Sequence, residues 1–241
     1  DPLPAHPALG SGGRLRIGVI STVNTRTPPA GYGGIERVVH CLVEELVRQG
    51  HDVTLFARAG SACSGRTVGI GQEDGAVFTG GRGPLDEEAL CEAIDAHTAQ
   101  NRLDVLHDWS LRNLFVNRHP ERVPFVVSTC VPQPDDYAQV NVVADSAAHA
   151  QTLKGGAVPF VRFGVDVASL PWSPEGGDRL VHLAKIARYK GQHVSILAAA
   201  LAPLMRTWVQ VNFTAARYQT PRPLQSYAPV PCWDTKPPED K

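Results

Sequence analysis

The sequence predicts an α/β protein built on a doubly wound parallel sheet, and three observations predict it. Short apolar runs rich in β-branched residues alternate with stretches of helical periodicity, a glycine-rich loop joins the first run to the first helix, and the connection into the second run is very short. Strands covered by helices on both faces have no solvent-facing side, so they read as continuous apolar runs rather than as alternating ones.

The first strand is expected over Arg14 to Ser21, where Leu15, Ile17, Val19 and Ile20 supply the apolar run. The loop Pro29-Ala30-Gly31-Tyr32-Gly33-Gly34-Ile35-Glu36 follows, with three glycines in four positions. Such a backbone is uncrowded by side chains, so a phosphate or sugar can approach it closely. The helix after it would add unpaired N–H groups and a positive dipole end. A simple tight connection accounts for the same glycines, and both readings stand at this point. Helix one is expected over Ile35 to Gln49, because Ile35, Val38, Val39, Leu42, Val43, Leu46 and Val47 fall on one stripe and Gly50 sits where a terminating glycine belongs. After His51-Asp52 the run Val53-Thr54-Leu55-Phe56-Ala57 completes a β-loop-α-β unit.

Gly60 to Gly83 reads as an irregular, glycine-rich excursion with brief strand signals at Thr67 to Ile70 and Ala76 to Thr79. Asp86 to Gln100 is expected to be a helix with an acidic first turn, Asp86-Glu87-Glu88, and with Leu90, Ile94 and His97 on one face. The strand Leu103 to His107 delivers His107, Asp108 and Trp109 to its carboxyl end, where open α/β sheets bind ligands; His107 and Asp108 are therefore the catalytic candidates. A helix around Leu111 to Asn117, strands over Pro124 to Cys130 and Asn141 to Ala144, a helix from Ser146 to Leu153 and a further strand from Ala157 to Phe163 continue the alternation.

Leu170-Pro171-Trp172-Ser173-Pro174-Glu175-Gly176-Gly177 breaks the pattern, which restarts with Leu180 to Ala184, a helix from Gly191 to Leu201 and a strand from Trp208 to Phe213. The domain organisation expected from this is a loose tail over 1–13, a Rossmann-like domain over 14–167, the start of an incomplete second Rossmann-like domain over 168–214, and an irregular proline-rich tail over 215–241. A second sheet that stops after about one β-α-β unit would leave an uncovered edge and favour self-association.

Composition bounds the function. At 241 residues, with 43% apolar and 20% charged residues, the chain can bury a sizeable core, and its formal net charge of -1 argues against a nucleic-acid binder. No apolar run approaches the ~18 residues that suggest a membrane helix, and the sequence starts without a charged-then-apolar signal pattern, so a cytoplasmic location is expected. The five cysteines, Cys41, Cys63, Cys91, Cys130 and Cys232, form no CxxC pair and are expected to be reduced; neither HExxH nor HxxxH occurs among the nine histidines, so no protein-built metal site and no cofactor are expected.

Taken together, Arg16-Ile17-Gly18-Val19-Ile20, the loop and helix start Gly31 to Val39, Gln49-Gly50-His51-Asp52-Val53 and Asp104-Val105-Leu106-His107 resemble the N-terminal domain of retaining, GT-B-fold glycosyltransferases of family 4. Val143-Ala144-Asp145-Ser146, Phe163-Gly164-Val165-Asp166 and Leu183 to Gly191 resemble that family's inter-domain crossing and the opening of its donor-binding domain. The resemblance covers about residues 14–202. It implies two Rossmann-like domains facing a cleft, a nucleotide-diphosphate-sugar donor as co-substrate, an acceptor held by the N-terminal domain, and transfer with retained configuration. By the same resemblance Gly33 and Gly34 lie near the donor phosphates, and Lys185 and Lys190 contact the diphosphate. Two cations five residues apart on a strand-to-helix turn suit that charge.

The sequence also departs from the family. Lys185 stands where arginine is commoner, exchanging a bidentate fork for a point charge. Cys130-Val131-Pro132 stands where a histidine often follows the strand, Trp109 where a second histidine is frequent, and the later glutamate pair has no counterpart. From these departures the expectation is little or no transfer activity in a truncated chain. A non-catalytic remnant or binding module is the alternative. An unrelated dinucleotide-binding domain is the weakest reading, because the loop lacks GxGxxG and Phe56-Ala57-Arg58 ends the second strand without an acidic residue.

Overall fold

The computed structural model describes residues 13–31, 33–71, 84–130, 141–153, 158–167, 174–175, 180–184, 190–201 and 209–212. Six strands, β1 (Arg16–Ile20), β2 (Asp52–Arg58), β3 (Arg66–Ile70), β4 (Val105–Asp108), β5 (Phe125–Thr129) and β6 (Val142–Ala144), form one sheet in the order β3-β2-β1-β4-β5-β6. Every pairing is parallel; Val19 aligns with Leu55 on one side and with His107 on the other. The doubly wound, Rossmann-like α/β fold expected from the sequence is the one observed. Strand order reverses between β1 and β4, and the crevice outside their carboxyl ends is where such sheets take ligands.

The strand runs divide their side chains between two layers, as a period of two requires. On one face Ile17, Val19, Val53, Leu55 and Ala57 pack against helix α1 (Gly34–Arg48) through Val39 and Val43. On the other, Ile20, Phe56 and Leu106 meet Leu90, Cys91 and Ile94 of α2 (Pro84–Gln100) and Phe115 and Val116 of α3 (Leu114–Arg118). Val39, Val43 and Ile94 are 0% exposed, and each buried side chain of this kind contributes roughly 1.5–3 kcal/mol of burial. Gly50, at φ 91°, turns the chain out of α1, a conformation that costs glycine little.

The strand signal expected at Thr67 to Ile70 is β3, at the edge of the sheet. Two other expectations change. The helix expected from Leu111 starts at Leu114, because residues 110–113 form a turn held by carboxylates. The strand expected over Ala157 to Phe163 reduces to one parallel bridge between Ala144 and Phe160, with Phe160 and Val161 exposed. Helix α4 (Ala147–Thr152) is capped by Ser146, whose hydroxyl accepts the His149 N–H.

A separate parallel pair, β7 (Leu180–Leu183) and β8 (Val209–Asn212), is accompanied by α5 (Gln192–Leu201). The tails expected over 1–13 and 215–241 lie outside the described residues apart from Gly13, as does the strand signal at Ala76 to Thr79. Among the described residues no helix is long and apolar enough to cross a membrane, and Cys41, Cys63, Cys91 and Cys130 are free thiols.

Candidate functional site at the carboxyl end of the sheet

At the end of β1 the chain enters the loop that leads to α1, and the two glycines at its close have different surroundings. Gly33 is the N-cap of α1 and is buried; a Cβ there would lie 2.7 Å from Pro29 Cβ and 2.9 Å from Glu36 Oε2. Gly34 is exposed, and a Cβ on it would meet no atom within 4 Å. Packing therefore requires the first glycine, whereas open space lies before the second. The helix ladder opens with Arg37 N–H donating to the Gly33 carbonyl at 3.2 Å, so the amides ahead of it belong to the set that an α-helix leaves without intrahelical acceptors.

Glu36 sits in the first turn of α1 at 5% exposure. Its Oε1 accepts a hydrogen bond from the buried Thr22 hydroxyl, which ties the helix start to the second residue after β1. Burial raises its pKa above the ordinary carboxylate value, against the opposing effect of the Thr22 bond. Nearby, the Ser21 and Thr27 hydroxyls are 2.7 Å apart and close the base of the same loop.

Across the switch point, β4 ends in His107 and Asp108. His107 Nε2 lies 2.8 Å from Ser128 Oγ on β5, and burial depresses its pKa to about 4, so the ring is neutral at pH 7. Asp108 is 0% exposed; its Oδ1 accepts the Ser110 N–H at 2.8 Å, and burial raises its pKa. Glu87 reaches the same turn from α2, its Oε1 accepting the Leu111 and Arg112 N–H groups at 3.1 and 3.2 Å. Its carboxyl is pushed up to about 7, first by burial and then by the negative charge of Asp108. Asn113, left-handed at φ 50°, closes the turn by donating its N–H to Ser110 Oγ and its side-chain amide to the Ser110 carbonyl.

That turn and the end of β5 enclose a shallow pocket lined by Ile35, Trp109, Ser110, Leu111, Asn113, Ser128, Thr129 and Cys130. Its wall includes the residue that follows Gly34, so the loop and the pocket adjoin. Trp109 is 5% exposed, with its ring 5.1 Å from His107 and 5.0 Å from Phe163. Cys130 remains a thiol at neutral pH, because burial and then the charges of Asp145 and Glu36 push it up to about 12. Residues 32–129 match the family model of Glycosyltransferase Family 4. The matched segment begins within the glycine loop and runs through the end of β5, so it includes α1 and β4 but not β1.

Two solved structures share the fold. AviGT4, a glycosyltransferase involved in avilamycin A biosynthesis, is 21% identical with a TM-score of 0.59; the alignment covers 83% of this chain and 63% of that one. Sucrose-phosphate synthase from Thermosynechococcus elongatus is 17% identical with a TM-score of 0.57, covering 82% of this chain and 62% of that one. The chain thus spans 63% or less of the length of either. Comparison with curated proteins gave no match.

Of the site residues expected from the sequence, Gly33, Gly34, His107 and Asp108 lie at the carboxyl ends of β1 and β4, but neither His107 nor Asp108 lines the pocket. Lys190 is exposed beside Gly191 at the start of α5, and Lys185 lies outside the described residues. Sequence reasoning missed Thr22, Glu36, Glu87 and Asn113. Glu36 had a readable signal, since a glutamate three residues after an N-cap is the acidic half of a capping box. Glu87 had none, because its role depends on a turn 24 residues away in sequence. Among the described residues no cluster of three or more metal-binding side chains occurs.

Proposed function

We propose that the chain serves transfer of a sugar from a nucleotide-diphosphate-sugar donor to an acceptor, with retention. In this reading Gly34 and the amino end of α1 take the donor's phosphates, the pocket from Trp109 to Cys130 takes the reacting sugar, and Lys185 and Lys190 neutralise charge on the leaving diphosphate. One observation carries it: the backbone at Gly34 opens onto free space at the head of a 15-residue helix, beside a pocket at the strand-order reversal. An anion there meets unpaired N–H groups and the positive end of the helix dipole. The segment matching the family 4 model, residues 32–129, includes Gly34, α1 and the pocket residues up to Thr129.

The experiment is incubation of the purified chain with a panel of nucleotide sugars and candidate acceptors, following nucleotide release. Turnover by the unaltered chain and its loss in Gly34→Val support the reading; equal turnover in both removes the glycine loop from it. A binding module that holds a nucleotide sugar without transferring it is the second reading. It is favoured by the pocket's lining, which among the described residues offers hydroxyls, an amide and a protonated thiol but no carboxylate or imidazole. Binding without release of nucleotide would select it.

A further inference from the structure

The carboxyl of Glu36 faces the glycine loop from behind. It stands third in α1, where an exposed helix position would serve for an ordinary acidic first-turn residue, yet it is 5% exposed. Oε1 takes the Thr22 hydroxyl, and Thr22 is itself 1% exposed. Oε2 lies so close to Gly33 that a Cβ there would approach it to 2.9 Å, while Pro29 confines the same glycine at 2.7 Å. Strand end, loop and helix start are therefore joined at one carboxyl group. At the next residue, Gly34, a Cβ would meet no atom within 4 Å.

We propose that Glu36, held by Thr22, is the positioning residue of the glycine loop: it touches no ligand, but it fixes Gly33 so that the first amides of α1 present a preformed cradle to a nucleoside diphosphate. This rests on the reading of the loop as a diphosphate site. An acceptor oxygen at this place, rather than a negative charge, is what the geometry uses. A carboxylate carrying full charge one turn from the ligand would repel a diphosphate, whereas a carboxamide of the same shape keeps the Thr22 bond without the repulsion. A loop fixed before binding loses less freedom on binding, so relaxing it weakens affinity without removing a contact.

Calorimetric titration of the full chain with ADP, GDP and UDP identifies the diphosphate that binds most tightly, and that one is used with four variants. Glu36→Gln and Thr22→Ser keep the bond and should bind within about threefold of the unaltered chain. Glu36→Ala and Thr22→Val lose it and should bind about tenfold more weakly or worse. Thermal unfolding of each variant separates loss of affinity from loss of fold. If Glu36→Ala does not fold, Thr22→Val, which keeps the side chain's volume, carries the test. A folded Thr22→Val that binds like the unaltered chain overturns the proposal, as does a folded Glu36→Gln as weak as the variants without the bond, because the conservative replacement should restore what a positioning bond supplies. If the unaltered chain binds none of the three diphosphates, the diphosphate reading of the loop fails and this one fails with it; binding that every variant retains overturns the role of Glu36 alone.

Discussion

His107 Nε2 and the Ser128 hydroxyl stand 2.8 Å apart between the neighbouring strands β4 and β5, just below the rim of the pocket. The imidazole is thereby engaged in the sheet, and burial keeps it uncharged until the pH falls to about 4. Nuclear magnetic resonance titration of the ring should show neutral His107 throughout pH 5–8. A transition near the ordinary value of about 6.5 would show that the ring is wetter than its packing against Trp109 allows.

Gly33 and Gly34 should respond oppositely to substitution. Gly33→Ala forces a methyl against Pro29 and Glu36, of which the proline ring has little freedom to move, so a loss of roughly 1–3 kcal/mol of stability is expected. At Gly34 an added Cβ meets nothing within 4 Å, so Gly34→Val should melt close to the unaltered chain. Its effect should appear in ligand binding, with diphosphate affinity reduced about tenfold or more as the side chain fills the approach to the helix amides. Calorimetry paired with thermal melts reads both; a Gly34→Val chain that binds normally would leave the loop as a connection only.

This contrast also marks how far the sequence could be read. A glycine run before a helix signalled close approach of something, but which glycine faces its own protein and which faces outward depended on Pro29 and Glu36 folding back onto the loop. β1, α1, β2 and α2 were legible from local signals: continuous apolar runs in the two strands, the apolar stripe of α1 and the acidic first turn of α2. The 110–113 turn, defined by tertiary contacts, was not: it exists because Asp108 and Glu87 supply acceptors for its amides. The acidic triplet Asp86-Glu87-Glu88 looks uniform in sequence, yet Glu87 is 5% exposed while Glu88 pairs with Arg118 at the surface.

Lys190 offers a test at the start of α5. Charge-assisted contacts contribute roughly 1.5–3 kcal/mol each, so the Lys185→Ala, Lys190→Ala double variant should bind nucleoside diphosphate at least about tenfold more weakly, with a weaker salt dependence. Equal affinity by calorimetry at low and high salt would remove both lysines from the diphosphate site.

Glu87 and His107 should leave opposite signatures in the dependence of stability on pH. The Glu87 carboxyl rises to about 7 from 4.5 on folding, so between those values the folded chain holds a proton that the unfolded chain has released. Stability from this group is therefore present at low pH and is lost as the pH rises from about 4.5 through 7, by up to about 3 kcal/mol. Buried Asp108 and Glu36 act in the same direction. His107 falls from 6.5 to about 4, so its contribution is complete above about 6.5 and is lost as the pH falls toward 4. The two offset each other between about pH 4.5 and 6.5, which masks both in the unaltered chain. Glu87→Gln separates them, because the amide oxygen can still accept the Leu111 and Arg112 N–H groups while the titration is gone. The melting temperature of Glu87→Gln relative to the unaltered chain should accordingly be higher at pH 8 than at pH 5, by several degrees for a difference of about 3 kcal/mol. A relative melting temperature independent of pH would mean that Glu87 titrates normally and that water reaches its carboxyl beneath the 110–113 turn.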